Sequence, residues 1–223
     1  MSKTPLFDVL RTALPEPILP AHPDWVELYW RAWELMAKDI RPGAAINDFA
    51  SASLDAVFLQ DIRPRDTTIW DFWRAGEIDA AREAAARHLE SLAAIYKQRG
   101  TLEENGTPET LQRISAGRME LSLIVLLTRV ILGIETDPAR QVVRWQLREP
   151  PPCGLRRLRL GQNIVSLVAQ GNTGGGLVVE VEAVHTFLLE IETPFSTFVE
   201  NMPAGSSHLL LTHLDRTDVR TTG

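Results

Sequence analysis

The feature that most constrains this chain is a change of hydrophobic period at Gly133. Before it, apolar residues recur every three or four positions; after it, they alternate or fall in short runs between Gly- and Pro-containing turns. Helices are therefore expected first and strands afterwards. The join runs from Gly100 to Ile134, where the acidic, turn-rich loop Glu103–Glu109 separates an amphipathic helix from an apolar one. A polar loop held between two packed helices is a natural place for a site.

Four prolines between Pro15 and Pro23 predict an extended entry segment. A first helix starts at Pro23, whose fixed φ suits a first helical position. Trp25, Tyr29, Trp33 and Met36 line one face, widened by Leu28, Ala32 and Leu35, and the helix stops before Arg41-Pro42-Gly43. Such a stripe reads first as core and second as a platform for a sugar ring. Arg63-Pro64 breaks the chain again, and Ile69-Trp70-Asp71-Phe72-Trp73 follows. Helical geometry there puts Trp70 and Trp73 on one face with Asp71 directed elsewhere. Glu77–Gln98 is alanine-rich and places Ile78, Ala81, Ala85, Leu89, Leu92 and Tyr96 on one stripe, with Gly100 as its stop. His88 has no second ligand at metal-binding spacing and reads as a packed or surface histidine. Met119–Ile134 reads as a buried core helix. It is interrupted by Glu120 and Arg129 and is shorter than the ~20 residues that span a bilayer.

Downstream, strands are predicted at Val142–Leu147, Leu155–Leu160, Ile164–Val168, Leu177–Ala183, Thr186–Glu192, Ser196–Glu200 and Ser206–His213. Short strands bounded by turns predict a small antiparallel β-sandwich. Arg156, Arg157 and Arg159 read as a solvated, edge-protecting face. The glycines of Gly171–Gly176 lack the Lys-Ser/Thr of a phosphate loop. The resulting division is a helical unit over residues 1–134, a β unit over 135–215 and a polar tail over 216–223.

Net charge at pH 7 is −6, which argues against a nucleic-acid or anionic-membrane partner. A lone cysteine, Cys153, excludes an intrachain disulfide and reads as a small apolar filler in a turn. No signal-like apolar run opens the chain, so a cytoplasmic protein is expected. Paired cysteines, a His-Glu-x-x-His motif, a Gly-x-Ser-x-Gly elbow and a dinucleotide fingerprint are all missing from the sequence, so neither a cofactor nor a metal is expected. What remains is carboxylates among tryptophans, asparagines and glutamines. That combination suits glycoside chemistry, in which one carboxylic acid protonates the leaving oxygen while a carboxylate activates water or attacks.

The segment Glu103-Glu104-Asn105-Gly106-Thr107-Pro108-Glu109 resembles the W-E-N-Y-x-P-E element of trehalase-like glycoside hydrolases, a group that includes mannosylglycerate hydrolase-like enzymes. L-L-T-R-V-I-L-G-I after it is similar to the family's next helix, and V-F-L-Q-D resembles its F-x-W-D element, with Gln60 in place of tryptophan. The opening segment around L-P-A-H-P-D-W-V-E-L-Y-W and the β part beyond Val142 are also similar to family counterparts. The resemblance implies an α+β chain: a partial, all-helical (α/α) toroid followed by the β-sandwich. It implies Glu104 as general base, Asn105 and Glu109 as its neighbours in the site, and Asp61 on a sugar-binding wall. Trp70 and Trp73 would line the substrate, and Asp71, in the one Trp-Asp pair, would replace the family's general acid, whose Gly-Trp-Asp segment is not found here. Glu103 and Gly106 replace two aromatics of the motif. Two functions follow: inverting hydrolysis of a small α-glycoside, or a non-catalytic carbohydrate-binding or structural remnant. An open half-toroid also implies an apolar wall covered by a second copy, a homodimer.

Overall fold

A computed structural model describes residues 11–38, 67–99, 123–172 and 176–211. Strand β1 (Glu16–Ile18) enters helix α1 (Pro23–Lys38). Helices α2 (Thr67–Ala75) and α3 (Ile78–Arg99) form a hairpin, and a helical stretch from Leu123 ends in a π-helical turn, Leu126–Ile131. Eight strands follow: β2 (Ile134–Asp137), β3 (Val142–Gln146), β4 (Cys153–Leu160), β5 (Asn163–Gly171), β6 (Leu177–Ala183), β7 (Phe187–Glu192), β8 (Thr197–Met202) and β9 (Gly205–Leu211).

Each helix is where its stripe puts it. Trp25, Leu28, Tyr29, Ala32 and Trp33 of α1 are buried, as are Ala81, Ala85, Leu89 and Leu92 of α3. Trp30, off the predicted stripe, is buried as well. The Tyr29 hydroxyl donates to the Pro15 carbonyl at 2.7 Å, which ties α1 to the entry strand. Burial pushes this phenol well above its ordinary range. Between α2 and α3 the chain turns at Gly76, at φ 78°, where a side chain would be strained.

The strands form two sheets, β1-β4-β5-β6-β9 and β2-β3-β7-β8. Three expectations are corrected here. The helices do not build an (α/α) toroid: the described ones are few, and the part of the chain beyond Gly133 is rich in strand. Toroid closure needs helical hairpins in series. Instead the entry segment Glu16–Ile18 is drawn into a sheet against Arg156–Gly154 of β4, and the stripes of α1 and α3 are covered within one small helical layer. Without a toroid there is no half-toroid wall for a second copy to cover. The sandwich is also not wholly antiparallel, because β3 and β7 pair in parallel from Val142↔Leu188 to Gln146↔Glu192. Strands β4, β5 and β6 lie in the other sheet between them, and that crossover brings β7 back in the same direction as β3. Lastly, the apolar helix ends before Ile134, which opens β2. Gly133 adopts φ 69°, and a Cβ there would run into the carbonyl oxygen of Gln146, so the backbones approach as only glycine allows.

The arginine cluster is corrected too. Strand β4 is not an edge, because β1 covers it. A bulge between Leu155 and Leu158 puts Arg157 at φ 58° and turns it toward the N-terminal segment. There it donates to the Leu14 carbonyl at 3.1 Å and pairs with Glu16 at 3.2 Å. Two further polar contacts fix the chain path. Trp145 Nε1 donates to the Leu132 carbonyl at 2.9 Å, and buried Asn163 bonds the backbone of Val184 and His185 in the β6–β7 turn.

One hydrophobic cluster runs from Trp33 and Leu89 through Leu126 and Ile131 to Trp145, Leu167 and Ile191. Arg82 stands at its helix–sheet junction. Its guanidinium donates to the carbonyls of Val130 (3.3 Å) and Ile131, and pairs with Glu149 on the β3–β4 connection. The side chains of Arg82 and Glu149 are only 13% and 11% exposed. Burial lowers the Arg82 pKa, and the charge of Glu149 opposes that shift. Removing one partner strands the other charge, so Arg82→Ala is expected to destabilise the fold by about 3–5 kcal/mol. In a chemical-denaturation double-mutant cycle, Arg82→Ala with Glu149→Ala should cost clearly less than the sum of the singles; additive losses would show that the pair is not coupled.

Candidate functional site

Four of the residues singled out by resemblance, Glu104, Asn105, Glu109 and Asp61, lie outside the described residues. The other three sit on α2. Trp70 is 5% exposed and belongs to the core, and Trp73 is half-buried beside it, edge to face at 6.4 Å between ring centroids. Arg129 of the π-helical turn lies over the Trp70 ring at 5.9 Å. Asp71 points the other way, as the helical spacing predicts. Its side chain is 63% exposed and lies 3.6 Å from Arg74. The structure thus brings Trp70 and Trp73 together and leaves Asp71 on a different face. Trp70 carries packing, with Trp73 in edge contact and Arg129 over its ring.

Burial distinguishes the remaining histidine and cysteine. His88 is exposed on α3, and no group of His, Cys, Asp and Glu that could hold a metal occurs among the described residues. No described helix is long and apolar enough to cross a membrane. Cys153 opens β4 rather than sitting in a turn. It is fully buried, and its thiol donates to the Glu149 carbonyl at 3.4 Å.

A concave polar surface lies elsewhere, on the outer face of the five-stranded sheet. Strand alternation sends Val165, Leu167, Ala169, Val179 and Val181 into the core, so Ser166, Glu180 and Glu182 lie on the outer face, with Val168 on the same face but buried. The register places Ser166 beside Glu182 and Val168 beside Glu180. Across β5, the β4 bulge that turns Arg157 toward the N-terminal segment leaves Arg156 on this outer face. Together these five residues line a groove of about 310 Å³. Its floor is the small Ser166 and the aliphatic Val168, its walls a guanidinium on one side and two carboxylates on the other. The walls stand two strand spacings apart, roughly 9.6 Å at the usual ~4.8 Å per step. Among the described residues, Arg156, Glu180 and Glu182 enter no ion pair, although Arg157, next to Arg156, pairs with Glu16 and two arginine–glutamate pairs form on the other sheet at Arg144–Glu190 and Arg148–Glu192. Separation across the floor explains this, and it leaves donors and acceptors free for a ligand.

Sequence reasoning missed this groove. The alternation Val179-Glu180-Val181-Glu182 signals a polar outer face, but nothing in it says that β6 lies two strands from β4. Set against known proteins, no family model matches this chain, and no curated protein or solved structure matches it.

Burial pushes the Cys153 thiol up to about 12, with the Glu149 charge acting in the same direction. It should therefore resist thiol reagents at pH 8 in the folded protein and react once guanidinium unfolds the chain. Because the folded value is raised above the ordinary 9.0, this group's stabilising contribution is whole below pH 9 and declines as pH rises toward 12. Rapid labelling under native conditions would contradict both statements.

Proposed function

We propose that this protein binds a small carbohydrate without cleaving it, as a non-catalytic counterpart of the trehalase-like glycosidases that its sequence resembles. The supporting observation is the groove of Arg156, Ser166, Val168, Glu180 and Glu182, whose charged walls are unpaired across a small floor. A sugar ring carries hydroxyls around its rim that both donate and accept. Arg156 supplies donors on one side, and Glu180 and Glu182 supply acceptors on the other. Hydrogen bonds to charged groups contribute about 1.5–3 kcal/mol each, enough for two or three to hold a monosaccharide or disaccharide weakly.

A second reading is inverting hydrolysis of a small α-glycoside, with Glu104 activating water. The Glu104-Asn105 and Pro108-Glu109 elements of the loop favour it. It requires a second carboxyl group roughly 6.5–9.5 Å from the first. Asp71, the candidate for that part, is turned to solvent beside Arg74, away from the tryptophans of its own helix.

Calorimetric titration of the full chain with glucose, mannose and trehalose separates the two readings when run beside an assay on aryl α-glycosides. Expected are saturable binding of at least one sugar, weakened about ten- to hundredfold by Arg156→Ala or Glu182→Ala, and no turnover. Turnover that disappears in Glu104→Gln would establish the hydrolase instead. Binding left untouched by Arg156→Ala would remove the groove from the argument.

A further inference from the structure

Among the described residues the two sheets have four edges, and they are not alike. Strand β1 is three residues long with Pro17 at its centre, and proline offers no N–H. Strand β2 is four residues long, carries Glu135 and Asp137, and runs into Pro138. These two edges share one side of the sandwich and are protected in the usual ways, by shortness, charge and proline. On the other side, β8 carries Glu200. Strand β9 has no such protection. Gly205-Ser-Ser-His-Leu-Leu-Leu211 contains neither charge of Asp, Glu, Lys or Arg nor proline, and it pairs with β6 through seven consecutive residues without a bulge. Among the described residues it closes the order β1-β4-β5-β6-β9, so no described strand takes its second row of backbone donors and acceptors. Leu210 at this edge is 57% exposed, next to half-buried Val178.

We propose that β9 is the interface for a second copy of this chain. Two β9 strands join antiparallel about a two-fold axis and make one continuous sheet of five strands from each protomer. The strand suits its own copy because it carries no Asp, Glu, Lys or Arg: antiparallel self-pairing sets no carboxylate, ammonium or guanidinium opposite its own kind, which would be destabilising. Full overlap of seven residues puts the middle one, His208, opposite itself, with Gly205 facing Leu211 of the other copy. A two-fold axis perpendicular to the sheet keeps both outer faces on the same side. The grooves between β4 and β6 of the two protomers then lie on one surface, positioned for bivalent attachment to a repeating ligand. The interface itself does not depend on what the groove binds.

Light scattering with size-exclusion chromatography on the full chain tests this directly. The expected mass is twice the 24.9 kDa chain, with Leu210→Lys weakening the dimer at least about tenfold while the circular dichroism spectrum is unchanged. His208→Cys provides a test that does not require a disrupting substitution. Facing Cα atoms of antiparallel strands lie about 4.5–5.5 Å apart, so mild oxidation should link two chains through this position, Cys153 being buried. A monomeric wild type at about 100 μM, or a dimer that neither weakens in Leu210→Lys nor cross-links through His208→Cys, overturns the proposal. Sugar titrations on the same samples report on the groove independently.

Discussion

The guanidinium of Arg82 joins three pieces of chain by polar contacts inside the shared core. It rises from the third helix, takes the last carbonyls of the π-helical turn at Val130 and Ile131, and pairs with Glu149 where the two sheets connect. Helix ends leave carbonyls without partners, and at a buried end those groups are costly unless a donor reaches them. Arg82 reaches them, and Glu149 balances the charge that it brings into the core. His22 closes the cluster from the N-terminal side, stacked on Trp25 at 3.7 Å and 4.0 Å from Glu149. With that junction fixed, Gly133 can turn directly into β2 and Trp145 can lock against the Leu132 carbonyl.

A second organising device is the β4 bulge. Adjacent arginines on a regular strand point to opposite faces. The irregularity between Leu155 and Leu158 assigns these two different work: Arg157 binds the entry segment through Leu14 and Glu16, and Arg156 is left beside the polar groove. The same local distortion thus fastens the N-terminal segment to the β layer and shapes the polar groove. This coupling is why the N-terminal segment and the sheets share one core.

Local structure was legible wherever one period dominated. Trp25, Tyr29 and Trp33 are buried at the spacing that predicts them, the Ala81–Leu92 stripe of the long helix is covered, and seven predicted strands appear within a few residues of their expected bounds. Long-range pairing was not legible. Glu16–Ile18 reads as a proline-rich lead, because three residues give no alternation, and only the approach of β4 makes them a strand. Ile134 reads as the last residue of the apolar helix, since it extends that run; the conformation of Gly133 and the register with Trp145 decide otherwise. The site expected from the acidic loop and the groove found on the sheet differ for the same reason. A loop motif is contiguous, whereas Arg156, Ser166 and Glu180 meet only through strand register.

By itself, the sequence determined the division into helical and strand-forming stretches, the buried face of each main helix and the polar alternation of β5 and β6, since all of these follow from side-chain spacing along one segment. Tertiary structure decided that the helices form a small layer rather than a ring, that β3 and β7 run parallel, and that one guanidinium faces two carboxylates across a shallow floor. Those outcomes depend on which strand lies beside which. Hydrophobic pattern is indifferent to that choice, because it specifies the face a strand buries but not the neighbour against which it hydrogen-bonds.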